Sequence, residues 1–470
     1  MRMMTRFDAY LSRLCEVLGH ADRDAPMREY CTGLMLPLKR KSVEPIAAHV
    51  GPQAVSAKHQ SLLHFVGNST WPDEAMLRSV HDYVMQRVPK AGRKGWVLVV
   101  DDTGHPKQGR DSVGVARQYC GMLGKTDNCQ VAVSVSKANA VMSLPLAYRL
   151  YLPQEWVKDA PRRKATKVPP EVGFATKPQI ALEQLAWTCK QGMAVGVQAV
   201  LADSAYGTEY AFRQGIAQLG LRYAVEVKHT SKVWGPGQGP VPPAPGTGKG
   251  RVPTRWRKDP QQPAQSVKSL ALALPASAWR AVRWREGTNE PLQSRFARVR
   301  VRVAHHTDQH QRPAQEWLLM EWPEAAPAPP KYWLSNLSKS ISMTKLVDTV
   351  KMRWRIERDY QELKQEFGLS HYEGRGWRGF HHHATLTIAA YGFLVAERLI
   401  DPSSKKNAVF CKVPALSKGF RPRGATAGQS PRARLDPDVT LGHRTRPRRA
   451  PASLPVLRKK QSMNISLLTQ

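Results

Sequence analysis

The sequence predicts an α/β protein: a mixed-sheet core that carries a β-rich insertion and follows an all-α N-terminal domain. Three observations carry this. Residues 1–90 show helical spacing of apolar residues without strand alternation. From Trp96 onward, continuous apolar runs that read as buried strands alternate with amphipathic stretches. Across 231–330 the period drops to two, most clearly in Arg298–Val303, Arg-Val-Arg-Val-Arg-Val.

The elements follow in order. Phe7, Leu11, Leu14 and Val17 form one helical stripe. Leu62, Leu63 and Phe65 begin a second, and Met76, Leu77, Val80, Tyr83 and Val84 a third, with helix boundaries at Pro26, Pro37 and Pro72. Trp96–Val100 reads as a buried strand ending in Asp101-Asp102-Thr103-Gly104. A second strand around 130–136 alternates, and a third covers Ser143–Leu150. Pro178–Lys190 is an amphipathic helix with proline near its start, where a missing N–H costs little. Val197–Ala202 is another buried strand, ending at Asp203, followed by a helix over 208–219 and a strand over 222–227. A Gly/Pro-rich stretch, 235–253, opens the insertion. Lys331–Asn336 is expected to return to the core, and 344–367 to be one helix. The organisation is therefore a helical domain (1–90), a first core part (91–230), the insertion (231–330), a second core part (331–400) and a basic tail (401–470). That tail holds 15 Lys and Arg against 3 acidic residues and reads as disordered.

Charge narrows the function. Lys and Arg number 71 against 37 acidic residues, a formal net charge of +34. Such a balance favours polyanions, because each neutralised phosphate releases condensed counterions. Six scattered cysteines include no Cys-x-x-Cys pair, which argues against a zinc site. Met1–Asp8 lacks the apolar region of a signal peptide, and Ala384–Leu399, interrupted by Glu397, is too short to span a bilayer. The expectation is a cytoplasmic, nucleoid-associated protein with no membrane partner.

The chemistry rests on carboxylates. Asp102 and Asp203 end predicted buried strands, the edge of an α/β sheet where sites form. Carboxylates gathered there repel one another unless a divalent cation neutralises them, and oxygen-only ligands suit Mg²⁺. On the predicted helix, Arg353, Glu357 and Lys364 fall within roughly 40° of one another, a carboxylate between two cations. Each feature has a plainer counterpart: a strand-end Asp that caps a turn, and a surface of i,i+4 ion pairs.

Together these residues resemble the Asp-Asp-Glu transposases of bacterial insertion sequences, in the group with the signature Tyr-x2-Arg-x3-Glu-x6-Lys. Arg353, Glu357 and Lys364 match it, and Val350 stands in the Tyr position. Val99–Gly104 through Lys107-Gln108-Gly109 resembles the family's first block, continued by Val113–Gly121 and Asn128–Gln130. Leu201–Gly207 resembles the second and Leu369–Trp377 flanks the third. The family pattern favours the Asp before Thr, hence Asp102, while alternation sends Asp101 to the opposite face. The resemblance implies a ribonuclease H-like core, and the 154-residue interval from Asp203 to Glu357 has room for the insertion. It further implies Asp102, Asp203 and Glu357 as catalytic metal ligands, and Mg²⁺ with Mn²⁺ as substitute. Arg353 and Lys364 would clamp phosphates, and Arg375 and Trp377 are further candidate DNA contacts. Double-stranded DNA, as element ends and target, would be the substrate, cut and rejoined through a 3′-hydroxyl by a homodimer. Two alternatives are a non-catalytic DNA-binding repressor and a structure-specific nuclease on the same fold.

Other features stay open. Arg298, Arg300 and Arg302 share one strand face and either follow a DNA backbone or are solvated. Trp317, Trp322 and Trp333 either pack or stack an unpaired base. His381, His382 and His383 mark a helix start with at most one histidine near DNA.

Overall fold

Helical periodicity in the first 90 residues produces five helices: α1 (Met3–Cys15), α2 (Asp24–Met35), α3 (Val43–Val50), α4 (Val55–Gly67) and α5 (Asp73–Arg87). The computed structural model describes residues 3–243, 254–286, 291–304 and 312–400. Phe7, Leu11 and Leu14 point inward from α1, as do Met76, Leu77, Val80, Tyr83 and Val84 from α5. Leu63 instead lies on the surface, since Leu62 and Phe65 take the buried face of α4. Pro26 sits in the first turn of α2, and Pro72 caps α5. These helices share one continuous hydrophobic core with the following sheet: Tyr10, Tyr30 and Met76 belong to the same cluster as Leu98, Val133 and Leu386.

The core comprises β1 (Trp96–Pro106), β2 (Ala116–Cys120), β3 (Lys125–Ala138), β4 (Ser143–Leu150), α6 (Gln154–Lys158), α7 (Ala160–Ala165), α8 (Lys177–Lys190), β5 (Val197–Leu201), α9 (Ser204–Gly207), α10 (Tyr210–Gln218) and β6 (Ala224–Val227). Strand β3 pairs antiparallel with β1, β2 and β4, whereas β5 runs parallel to β1. A parallel bridge from Val200 to Tyr223 carries the order on towards β6. This is a mixed sheet of the ribonuclease H-like kind. A full capping box on Thr176 and Gln179 starts α8.

The insertion contains β7 (Lys232–Trp234), β8 (Gln265–Ser266), α11 (Val267–Leu272), β9 (Arg280–Glu286), β10 (Pro291–Val303), β11 (Gln315–Trp322) and β12 (Lys331–Ser335). Its sheet runs β6-β12-β11-β10-β7-β8, with β9 beside β10. Thus β12 joins the two parts: it pairs with β6 of the core on one side and with β11 of the insertion on the other, and its Trp333 packs into the main core. Val233, Val301, Leu318 and Met320 pack with Val267 and Leu270 of α11 into a second core.

Three helices close the described chain: α12 (Met343–Lys351), α13 (Trp354–Gln365) and α14 (Trp377–Ile400). The single helix expected over 344–367 is therefore two. It breaks at Met352–Arg353, whose amides reach back three residues to Thr349 and Val350. Each half serves a different sheet: Lys351 of α12 pairs with Glu321 of β11, while the Tyr360 hydroxyl of α13 bonds Ser134 of β3. That second contact explains why β3 does not alternate. Cys129–Ala138 is buried throughout, with α13 on one face and α8, through Gln184, on the other. Among the described residues no helix is long and apolar enough to cross a membrane. The tail 401–470 and Cys411 lie outside the described residues.

Candidate active site

Two neighbouring parallel strands build the site floor. In the β1–β5 register Val99 lies beside Leu201, so two residues on, Asp101 stands level with Asp203. β1 runs through Asp101 and Asp102 without a bulge against β3, so the two carboxylates leave opposite faces. Asp101 shares its face with Ser134, its cross-strand partner, which holds Tyr360 of α13. Asp102 shares its face with Val133, on the α8 side.

The partners follow from the faces. Arg353, at the break between α12 and α13, donates from Nη1 to Asp101 Oδ2 at 2.9 Å, and its Nη2 lies 3.7 Å from Glu357 Oε1. Asp102 Oδ2 accepts from Lys177 Nζ at 3.0 Å and from the Tyr206 hydroxyl at 3.2 Å. Asp203 caps α9: its Oδ1 accepts from the backbone N–H groups of Ala205 at 3.0 Å and Tyr206 at 3.4 Å. Glu357 is two-thirds exposed, with 67% of its side chain open to solvent.

Electrostatics ties the cluster together. Burial pushes the Asp101 carboxyl up to about 7; Arg353 opposes this, and Asp203 and Asp102 add to it. Burial also lowers the affinity of Arg353 for its proton, but Asp101, Asp203, Glu357 and Glu226 outweigh it and hold the guanidinium above its ordinary value. Glu226 of β6 is raised first by burial and further by Asp203. Four carboxylates therefore act on one guanidinium, two of them, Asp101 and Glu357, at 2.9 and 3.7 Å. The donor set is all oxygen, and its excess negative charge is what a hard divalent cation offsets. Among the described residues, no group of three or more His, Cys, Asp or Glu is gathered closely enough to hold a metal. Arg353 stands between the acids, and Glu357 faces outward, so ligation requires Glu357 to turn in.

The other sequence candidates divide. Lys364 Nζ donates to the Gly104 carbonyl at 3.0 Å, a strut from α13 to β1, and burial lowers it to about 8. Arg375 is exposed and pairs with Asp111 at 3.3 Å. Trp377 is half-buried, 4.4 Å from the His381 ring. Val350 is buried in the core. All three histidines of the run are buried inside α14, so none of them faces the surface. Trp333 is buried, Trp322 packs on Trp279, and Trp317 lies against Arg298 and Arg300.

Sequence reasoning missed two members of the cluster. Asp101 was set aside for the face it leaves, yet that is the face carrying Arg353. The parallel register with Asp203 is the signal that identifies it. Glu226 sits in the short run Ala-Val-Glu-Val, where an acid in a buried strand is the only hint.

Known proteins bear on these residues. A family model described as "DDE superfamily endonuclease" matches residues 13–291. The chain is 34% identical over 197 residues to the "Probable transposase for insertion sequence element IS701" of Microchaete diplosiphon, covering 42% of this chain. It thereby spans about half of that relative, 47% of its length. A solved piggyBac transposase synaptic complex with hairpin DNA gives a TM-score of 0.38 at 10% identity, over 82% of this chain and 67% of that one.

Proposed function

The chain belongs to the DDE superfamily endonucleases, and from that premise we propose that it is a DNA transposase that cuts and rejoins DNA at the ends of an insertion sequence. The observation that supports the reading is the placing of Asp101 and Glu357 on the two sides of the Arg353 guanidinium, at 2.9 and 3.7 Å, with Asp203 level with Asp101 at the ends of β1 and β5.

Mg²⁺, or Mn²⁺ in its place, is the proposed cation. Asp203, Glu357 and a strand-end aspartate are its proposed holders. Bound there, such an ion or ion pair supplies a Lewis acid and an activated oxygen nucleophile for phosphoryl transfer. For the strand-end ligand the motif favours Asp102, whereas the face shared with Arg353 supports Asp101. The chain's own residues do the positioning. The α9 amides orient Asp203. Lys364 fixes α13, and with it Glu357, to β1. Arg353 keeps mutually repelling acids together and, once they take a cation, its guanidinium is free to contact a phosphate in bidentate fashion. The two element ends are proposed to be paired by a homodimer.

The test is cleavage by the purified full chain of DNA bearing the inverted repeats that flank its reading frame. The Glu357→Gln variant is expected to lose Mg²⁺-dependent cutting, and undiminished cutting overturns the assignment. Pre-cut ends offered with target DNA then separate a transposase, which joins them, from a nuclease, which does not.

A further inference from the structure

The period-two run in β10 does more than build a strand. Ala297, Val301 and Val303 fill the core beneath α11. Arg298, Arg300 and Arg302 are thereby consigned to the other face, opposite Leu319, Trp317 and Gln315 of β11. At the Phe296 end that face is covered by Lys351 of α12, which lies over Trp284 and Phe296. Beyond it the arginines continue as a half-buried row.

Among the described residues, no ion pair involves Arg298, Arg300, Arg302 or Arg312. Each of the first three donates only to a neutral backbone carbonyl: Ile341, Gln315 and Pro313 respectively. Nε and Nη1 of Arg300 and Nε of Arg302 are buried with no acceptor. The neighbouring acid, Glu316, is buried with Tyr223 and Arg213 and acts on Arg300 without forming an ion pair with it. Like charges accumulate instead: Arg280 beside Arg298, and Arg312 beside Arg302. The Trp317 ring lies 4.4 Å from the Arg298 guanidinium and 4.9 Å from that of Arg300, and its own N–H is tied to Ser338 at 3.0 Å. An aromatic so fixed pre-orients both planes. Gly239 adds room: a Cβ there would lie 3.0 Å from Arg302 Cδ.

We propose that this arginine row is a second DNA-binding surface, one that takes the phosphodiester backbone of a duplex independently of its sequence. It rests on the transposase reading and supplies that reading with a surface away from the carboxylates. Desolvated guanidinium donors without acceptors are costly until an anion meets them. Arginine suits phosphate through bidentate contact. Alternate residues on a strand are about 6.8 Å apart, two rises of 3.4 Å along one DNA strand, so three arginines reach three phosphates in line.

The experiment is salt-dependent binding of the full chain to a short duplex of unrelated sequence, read by fluorescence anisotropy. For R298Q/R300Q/R302Q the slope of log K against log salt is expected to fall by about 2.7, from about 0.9 per phosphate lost. The triple lysine variant should keep most of the slope but not all the affinity, because lysine neutralises without the fork. Circular dichroism confirms the fold. Should the triple glutamine variant unfold, Arg302→Gln alone should lower the slope by about 1. An unchanged slope in a folded variant overturns the proposal. So does binding that poly-glutamate displaces but excess duplex does not, which would mark an acidic protein as the ligand. A chain that cuts DNA while its row variants keep the slope refutes this proposal alone, whereas loss of slope in a chain that never cuts refutes only the enzymatic reading.

Discussion

Two polar clusters lie within one core, and they are built on opposite terms. In α14 nearly every ring nitrogen of the histidine run has a fixed partner. His381 bonds the Trp377 carbonyl at 2.9 Å and the Leu150 amide at 3.2 Å. His382 lies between the carbonyls of Val66 and Trp71 at 3.0 and 3.1 Å, of which its neutral ring can donate to only one, and stacks on the Trp71 ring. His383 meets the Tyr30 hydroxyl at 2.8 Å and the Gly368 carbonyl at 3.0 Å. At the strand ends Asp101, Asp203, Glu226 and Glu357 all act on Arg353, and Lys331 acts on Glu226 as well. Ring nitrogens that nearly all meet a protein partner hold the fold; carboxylates that raise one another's affinity for a proton are arranged for something the cluster does not itself contain.

The largest expected effect tests that contrast directly. Asp203→Asn should lower Mg²⁺-dependent cleavage by more than about a hundredfold, beyond the 10–100-fold typical of outer-sphere partners, while leaving the melting temperature near that of the parent. A variant that instead unfolds and recovers activity when refolded would make the acid cluster structural, like the histidines.

The next comparison sharpens the site itself. If the face carrying Arg353 is the catalytic one, Asp101→Asn should match Asp203→Asn in lost cleavage. Asp102→Asn should then keep most activity but melt lower, by roughly 1–2 kcal/mol, since it weakens charge-assisted bonds from Lys177 and Tyr206. The reverse ranking would assign the ligand to Asp102, as the motif does.

The histidine cluster yields a pH prediction. Burial lowers His383 from 6.5 to about 4. Its folded form stays neutral: Nε2–H donates to Gly368, and Nδ1 accepts from Tyr30. Between these values the unfolded chain binds a proton that the folded chain refuses, so the contribution is complete above pH 6.5 and is lost as pH falls towards 4. The loss should reach about 3 kcal/mol at most. Urea melts from pH 7 to 4.5 should show it, and His383→Gln should flatten the dependence. An equally steep acid limb in the variant would place the cause elsewhere.

Much of this was legible in the sequence, for reasons that also mark where it stopped. Val197–Leu201 and Ser143–Leu150 are apolar and bounded by turn residues, so local pattern located both strands. Amphipathic spacing with Pro178 near its start located α8, whose Thr176–Gln179 capping box the structure then showed. What failed depended on distant partners. Met352–Arg353 has ordinary helical propensity, and α12 and α13 separate only because two different sheets claim them. That β12 also pairs with β11 of the insertion depends on a partner the local pattern does not show. Asp101 and Asp102 are chemically identical neighbours, and what distinguishes their surroundings, Arg353 beside Asp101, lies 252 residues away. The bond from Lys364 to Gly104 is likewise non-local.

The smallest effect concerns the rim. Arg375 and Asp111 are exposed, with 72% and 68% of their side chains accessible, and are paired at 3.3 Å. Such a pair contributes at most about 0.5 kcal/mol, because water screens it and both chains lose freedom in forming it. Arg375→Ala should therefore leave the melting temperature within error, unlike any change at His383. If Arg375 contacts a phosphate near the cut, the variant should bind element-end DNA more weakly, with the salt slope lowered by about 0.9. The Arg375 carbonyl also accepts from the Val113 amide, a bond that alanine retains, so loss of binding without loss of stability isolates the guanidinium. A fall in stability beyond 1 kcal/mol, which exceeds what about 0.5 kcal/mol for an exposed pair allows, would make Arg375 part of the scaffold, like the histidines.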